Sequence, residues 1–208
     1  MRPSQRADSL DMEVLETPIG RVLLAATRVG LVRVLLLEDR PPHRAMRGLA
    51  HRLGLPVAVD AGRVAVAATQ VDQFLRGSIL TFDLPLDLRL ANTGTRRVMS
   101  MLARVDYGAT TTVRRLASAT GRPFGARSTG AALALNPLPL VVPSHRVTRG
   151  RSGRRPRGDH PGGEDVQRYL LDVEASVVRS RHAAWTGEHL LEGADGDTWQ
   201  DLQRHLEG

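Results

Sequence analysis

Short β-like runs open the chain at residues 12–15, 22–26 and 31–37, with Pro18-Ile19-Gly20 and Val29-Gly30 between them as turn signals. This patterning predicts an antiparallel meander, which Arg40-Pro41-Pro42 ends. Residues 45–53 read as a helix. Residues 65–75 read as another, with Val66, Val71, Phe74 and Leu75 at helical spacing before Gly77. Residues 79–90 then alternate through Phe82, Leu84, Leu86 and Leu88, predicting a strand that runs toward the second half.

Strand pattern yields to helix pattern near residues 91–94. Residues 95–105 place Val98, Met99 and Leu102 on one helical face, and Asp106-Tyr107-Gly108 ends that helix. Residues 111–120 form a second helix, closed by Gly121-Arg122-Pro123, and 124–135 a third, closed by Asn136-Pro137. Two short helices joined by a glycine-containing turn suggest a helix-turn-helix. Residues 166–178 predict a last helix. The acidic stretch 185–208 is compatible with one more amphipathic helix or with a tail. No internal repeat is visible.

Charge changes the picture of the second half. The 208 residues carry a net +7, with 29 arginines and no lysine. Residues 94–158 hold 13 arginines against one acid, Asp106, whereas 159–208 hold 4 against 11. A GC-rich genome would explain arginine over lysine, but not the loss and return of acids. So basic a segment points to a polyanionic partner, nucleic acid. No run approaches the roughly 18 to 20 apolar residues of a membrane span, and no apolar signal-peptide core follows Met1, so the expected compartment is the cytoplasm. The absence of cysteine excludes disulfides and thiol metal sites.

The chemistry-bearing residues lie close together in sequence. Pro143-Ser144-His145-Arg146 ends the apolar run 138–142; Asn136-Pro137 stands six residues earlier, and Arg127 nine before that. Downstream, Gly158-Asp159-His160-Pro161-Gly162-Gly163 leads into a helical stretch containing Glu174. This is the frame of a nucleophile site with a hydroxyl in place. A serine-hydrolase reading would need a Gly-x-Ser-x-Gly elbow or an orienting acid, and neither is evident.

Together these motifs resemble the O6-alkylguanine-DNA alkyltransferase family, whose signature is Asn-Pro, a short apolar strand, then Pro-Cys-His-Arg. Here Ser144 stands at the acceptor cysteine. The resemblance is strong over 95–174. It is weaker over 11–90, resting on Thr17-Pro18-Ile19-Gly20, the 71–77 helix and the 82–88 strand. It implies an α/β (α+β) fold. Residues 1–93 would form a small N-terminal domain of antiparallel sheet plus helix, ribonuclease-H-like in the family. Residues 94–180 would form a mainly helical, winged helix-turn-helix-like DNA-binding domain, followed by an acidic tail over 181–208.

Carried over residue by residue, the resemblance makes Arg127 the finger that fills the stack where the guanine leaves. It makes Ser128, Thr129, Gly130 and Ala131 the small face of a minor-groove helix. Thr112, Arg114, Arg115, Arg96, Arg149 and Arg151 would meet phosphates. Asn136, Pro143, Ser144, Arg146, Val147, His160 and Pro161 would line the alkylguanine pocket. His145 and Glu174 match the family's relay, in which a water links the thiol to the histidine. The chain departs from the pattern at Val113, where a tyrosine is usual, at His160 and Pro161, usually tyrosine and serine, and at Gln167, often lysine.

Alkyl transfer needs a soft, activated nucleophile. A thiol near pKa 8.5 supplies one, and an alcohol does not. The expected function is therefore that of the alkyltransferase-like subgroup, which lacks the acceptor cysteine, binds alkylated guanine and flags it for excision repair. That subgroup commonly has tryptophan at the acceptor position and often lacks the N-terminal domain. The expected partners are double-stranded DNA and excision-repair proteins, with the protein monomeric, nucleoid-associated, and free of cofactor and of metal; the family's zinc is held by cysteines. The alternatives are a methyltransferase with an atypical acceptor and a decayed paralogue that binds DNA generally.

Overall fold

A computed structural model describes residues 8–58, 62–148 and 162–191, with side chains described as far as residue 182. The meander forms as β1 (Asp11–Thr17), β2 (Gly20–Ala26) and β3 (Leu31–Leu36), antiparallel in that order. Thr17 pairs with Gly20 across a two-residue turn, where the Thr17 hydroxyl donates to the Gly20 carbonyl at 2.6 Å. Central β2 is apolar from Val22 to Ala26 because both faces of that stretch are covered. Val22, Leu24 and Ala26 enter one core, Leu23 and Ala25 the other.

α1 (Pro42–Leu53) covers the second face, packing Leu49, Ala45 and Met46 over Leu23 and Val32. α2 (Gly62–Leu75) covers the first with Val64, Ala67, Val71 and Phe74. Val66, grouped with these by spacing, is instead 58% exposed. The first core runs on without a break into the second half. Val98, Met99 and Leu102 of α3 (Thr93–Leu102), together with Leu116, Ala132, Leu138 and Leu170, share it with Val22 and Phe74. Asn92, at the expected boundary, caps α3 by accepting from the Thr95 N–H at 2.8 Å.

The predicted strand over residues 79–90 does not form. Phe82, Leu84, Leu86 and Leu88 pack half-buried against the core, but only one bridge, Leu31 to Leu86, joins this segment to the sheet. The reason lies in its backbone partners. The Gln70 amide takes both the N–H and the carbonyl of Asp83, and Pro85 has no N–H to give. Asp87 then turns the chain into a 3-10 turn, accepting from the Arg89 N–H at 3.0 Å and from the Thr27 hydroxyl at 2.6 Å.

Beyond α3 come β4 (Thr111–Thr112), α4 (Val113–Thr120) and α5 (Ala126–Ala134), which pack on one another as the expected helix-turn-helix. β5 (Val147–Thr148) pairs with β4 in parallel. The last helix, α6 (Gly163–Leu191), runs unbroken past the end expected near residue 178. Among the described residues, no helix is long and apolar enough to cross a membrane.

Gly30 sits where the 79–90 segment crosses the sheet end. At its φ of +155°, an added Cβ would stand 2.1 Å from the Pro85 carbonyl oxygen, whereas at Gly20 (φ +94°) it would meet nothing within 4 Å. Gly30→Ala should therefore cost about 2 kcal/mol or more, and Gly20→Ala only the backbone strain of about 1 kcal/mol. Urea denaturation of the two variants, giving equal losses, would contradict this packing.

Candidate functional site

The site is built around the loop that leaves α5. Asn136 is buried, and its side chain turns forward into the loop. Its Oδ1 accepts from the Leu138 N–H at 3.0 Å, and its Nδ2 donates to the Val142 carbonyl at 3.0 Å and to Ser144 Oγ at 2.8 Å. The apolar run 138–142, expected as a strand, is instead a tight turn. The Val142 N–H returns to the Leu138 carbonyl at 2.9 Å, and Leu140 has a φ of +79°. Pro139 has no N–H for a ladder, and β3 reaches this region through a single bond, from the Val34 N–H to the Pro137 carbonyl at 2.9 Å.

A 3-10 turn, Ser144–Arg146, follows, and β5 then lies against β4, so the acceptor position is brought beside the start of α4. Ser144 is 7% exposed. Its oxygen accepts from the Asn136 amide and faces the Val142 carbonyl at 3.4 Å. Neither group can take up a proton from it.

Behind the serine, the Glu174 carboxylate of α6 is fully buried and gathers three residues. His145 Nε2 lies 2.7 Å from Oε1. Arg146 grips both oxygens from Nε at 3.0 and 3.1 Å, and adds Nη2 at 2.9 Å. The Gly108 N–H donates at 2.8 Å. Burial pushes the Glu174 carboxyl up, but the hydrogen bonds from His145 and Arg146 outweigh it and hold the group below the usual carboxylate range. Burial likewise pushes the His145 imidazole below its ordinary value, against the pull of Glu174, so the ring is neutral and donates its Nε2 proton to the carboxylate. Arg146 also donates to the Val105 carbonyl at 2.6 Å and lies over the Tyr107 ring, 5.5 Å from its centroid. Burial, reinforced by the Glu174 charge, raises the Tyr107 phenol.

The structure thus brings Asn136, Pro143, Ser144, His145 and Glu174 together, with Val147 half-buried beside them. It corrects other expectations. Arg146 does not line a pocket; its guanidinium is spent on Glu174 and Val105. Arg96 does not point to phosphates, because its Nε and Nη2 donate to the Ala91 and Leu88 carbonyls, both at 2.9 Å, bracing the joint before α3. The Thr112 hydroxyl caps α4, accepting from the Arg115 N–H at 3.3 Å. Thr129 is 0% exposed and Gly130 is buried, so both face the core.

Arg127, Ser128 and Ala131 of α5, and Arg114 and Arg115 of α4, remain on exposed surface. Ser128 and Gly125 also cap α5 reciprocally, at 3.0 and 3.1 Å. Val113 is half-buried at the first position of α4. Arg149, Arg151, His160 and Pro161 lie outside the described residues.

Three site residues escaped the reading of the sequence. Gln167, noted only as a replacement for lysine, donates to the His145 and Val147 carbonyls, both at 3.0 Å, and pins the acceptor turn to α6. Tyr107 and Gly108 read in the sequence as a helix stop. The available signal was the helical face of Val98, Met99 and Leu102 closing on Asp-Tyr-Gly, a turn that leaves an N–H free to serve a distant acceptor. Among the described residues, no group of three or more histidines and acids is placed to hold a metal ion.

Both shifts act in the same direction with pH. His145 is neutral when folded yet charges at 6.5 when unfolded, so its contribution falls as pH drops below 6.5. The Glu174 contribution is complete above 4.5 and is lost as pH falls toward the lower folded value. Stability should decline on acidification from about pH 6.5 and more steeply below 4.5. Glu174→Gln should flatten the lower limb and cost about 3 kcal/mol at neutral pH by leaving Arg146 buried without its counter-charge. A wild-type stability flat from pH 7 to pH 4, measured by chemical denaturation, would rule out this assignment of charges.

Known proteins resemble this chain in sequence and fold. The family profile described as 6-O-methylguanine DNA methyltransferase, DNA binding domain, matches residues 94–176. A methylated-DNA–protein-cysteine methyltransferase of Mycolicibacterium paratuberculosis is 37% identical over 165 residues, covering 79% of this chain and 92% of that protein. The Mycobacterium tuberculosis protein of the same name is 31% identical over 163 residues, covering 78% and 90%. The crystal structure of M. tuberculosis OGT in complex with DNA superposes with a TM-score of 0.65 at 30% identity, covering 80% of this chain and 94% of that one. These relatives are named for a protein cysteine, and this chain has none. By sequence and by structure, the chain belongs to the methylated-DNA–protein-cysteine methyltransferase family and carries that family's DNA-binding domain.

Proposed function

We propose that this protein binds duplex DNA, turns an O6-alkylated guanine out of the stack and holds it without accepting its alkyl group. The observation that carries the reading is Ser144. It stands at the acceptor position, bonded to Asn136, in a frame where His145 and Arg146 both bond to Glu174. Displacement at a saturated carbon needs a thiolate or a comparably soft nucleophile, and an alcohol ionises far too high to provide one. Serine–histidine pairs succeed at carbonyls because an oxyanion hole stabilises the product. An alkyl ether generates no such oxyanion.

On this reading Arg127 fills the gap left by the base, and Arg114 and Arg115 neutralise backbone phosphates. The partners are double-stranded DNA and the excision-repair proteins that act on a marked lesion, and the protein works as a monomer in the cytoplasm, at the nucleoid. A second reading, a paralogue that binds DNA without lesion preference, is favoured by Val113 at the head of α4 and by the engagement of Arg96 and Thr112 within the protein.

Binding to duplexes with and without O6-methylguanine, read beside intact-protein mass, separates these readings. Wild type should favour the lesion at least about tenfold, since an already weakened pair lowers the few kcal/mol that flipping costs, and should gain no mass. Equal affinities would leave the paralogue reading, and a gain of one methyl group would mean that another side chain accepts it. Ser144→Cys should gain one methyl where wild type gains none. Arg127→Ala should erase most of the lesion preference. Replacing Arg114 and Arg115 together with Gln should weaken all duplexes alike and reduce the slope of log K against log salt by about 2.

A further inference from the structure

We infer that the groove between α1 and β3 is a second ligand site, which takes a phosphate group on Arg33, Arg40, Arg44 and Arg52. The groove is a cavity of about 440 Å³, lined by these four arginines and by an apolar floor that includes Leu35, Leu49 and Leu90. Strand register makes Arg33 unusual. It pairs with Ala25 and Leu35 with Leu23, and Ala25 and Leu23 both belong to the core between the sheet and α1. Arg33 therefore occupies a strand position that faces the helix, where alternation calls for an apolar side chain, and it is half-buried there.

Among the described residues, no acid compensates this charge. Elsewhere in the N-terminal half, Arg63 meets Asp11, Arg76 meets Asp72, and Arg89 meets Asp8 and Asp87. None of the four groove arginines has an ion pair or a side-chain hydrogen bond among the described residues. α1 carries arginines and histidines but no acid, and the exposed Glu38 and Asp39 before it do not line the cavity. Burial, with Arg52 and Arg40 nearby, lowers the Arg33 guanidinium from its ordinary value. A half-buried cation among like charges is costly unless an anion joins it. Guanidinium forks match phosphate oxygens in pairs, and the volume suits a small molecule with an apolar ring beside its phosphate.

The sheet separates this groove from the core shared with the helix-turn-helix, so the site is distinct from the acceptor frame and independent of its chemistry. The test uses the full chain with pyrophosphate, ATP and a short unmodified duplex as probes, read by calorimetry and thermal melting. Controls are an Arg33→Met, Arg52→Gln variant and an Arg114→Gln, Arg115→Gln variant. Saturating pyrophosphate or ATP should raise the melting temperature of wild type and of the Arg114/Arg115 variant by roughly 5 °C. The groove variant should lose that rise and bind at least tenfold more weakly.

Arg33→Met alone should melt no lower than wild type in anion-free buffer, whereas an arginine holding the fold together would melt lower. Duplex that displaces pyrophosphate from the Arg114/Arg115 variant would identify the phosphate as nucleic-acid backbone. Failure to displace would identify a small phosphorylated molecule, and the site stands in both cases. No response in wild type, an equal response in the groove variant, or a lower melting point for Arg33→Met would overturn the site.

Discussion

One buried carboxylate organises the second half of this molecule. Glu174 gathers the imidazole of His145, the guanidinium of Arg146 and the N–H of Gly108 around two oxygens with no solvent exposure. These partners come from two places far from α6 in the chain, the acceptor turn and the loop after α3. A charge so deeply buried is tolerable only while every partner is present, because removing one strands the others in a low dielectric. The carboxylate therefore couples the position of the acceptor turn to that of the last helix, and Gln167 repeats the link about two helical turns away.

This coupling explains how the frame can persist with serine at its centre. Nothing in the Glu174 network depends on whether the acceptor atom is oxygen or sulfur. Asn136 holds the loop through the Leu138 N–H and the Val142 carbonyl as well as through Ser144. The fold around Ser144 rests on these contacts. The chain thus keeps the architecture of its family without the cysteine for which its relatives are named.

The sheet divides the molecule's charge as well as its cores. On one face, β2 and α2 join the helices that present Arg114, Arg115 and Arg127. On the other, α1 closes over Arg33 with further arginines and no acid. A central strand buried on both sides makes this separation possible.

Much of this was legible in the residues. Alternation and turns located the meander, and helical spacing and caps located α1 to α5, whereas Asn136, Ser144, His145 and Glu174 were marked by resemblance to the family's motifs. Those features are local, and local physics decides them: steric preference, turn chemistry and the periodicity of burial. What failed to be legible depended on partners far along the chain. Residues 79–90 alternate like a strand, yet a glutamine side chain and a proline deny them a ladder. The run 138–142 is as apolar as a strand, yet Asn136 and Pro139 fold it into a turn. Arg96, Thr112 and Arg146 look like free cations and donors in the sequence, yet carbonyls, an amide and a carboxylate brought by packing claim them. A side chain's chemistry is written in its type, but whether that chemistry faces solvent, a ligand or the protein is decided only when distant backbone and charge arrive beside it.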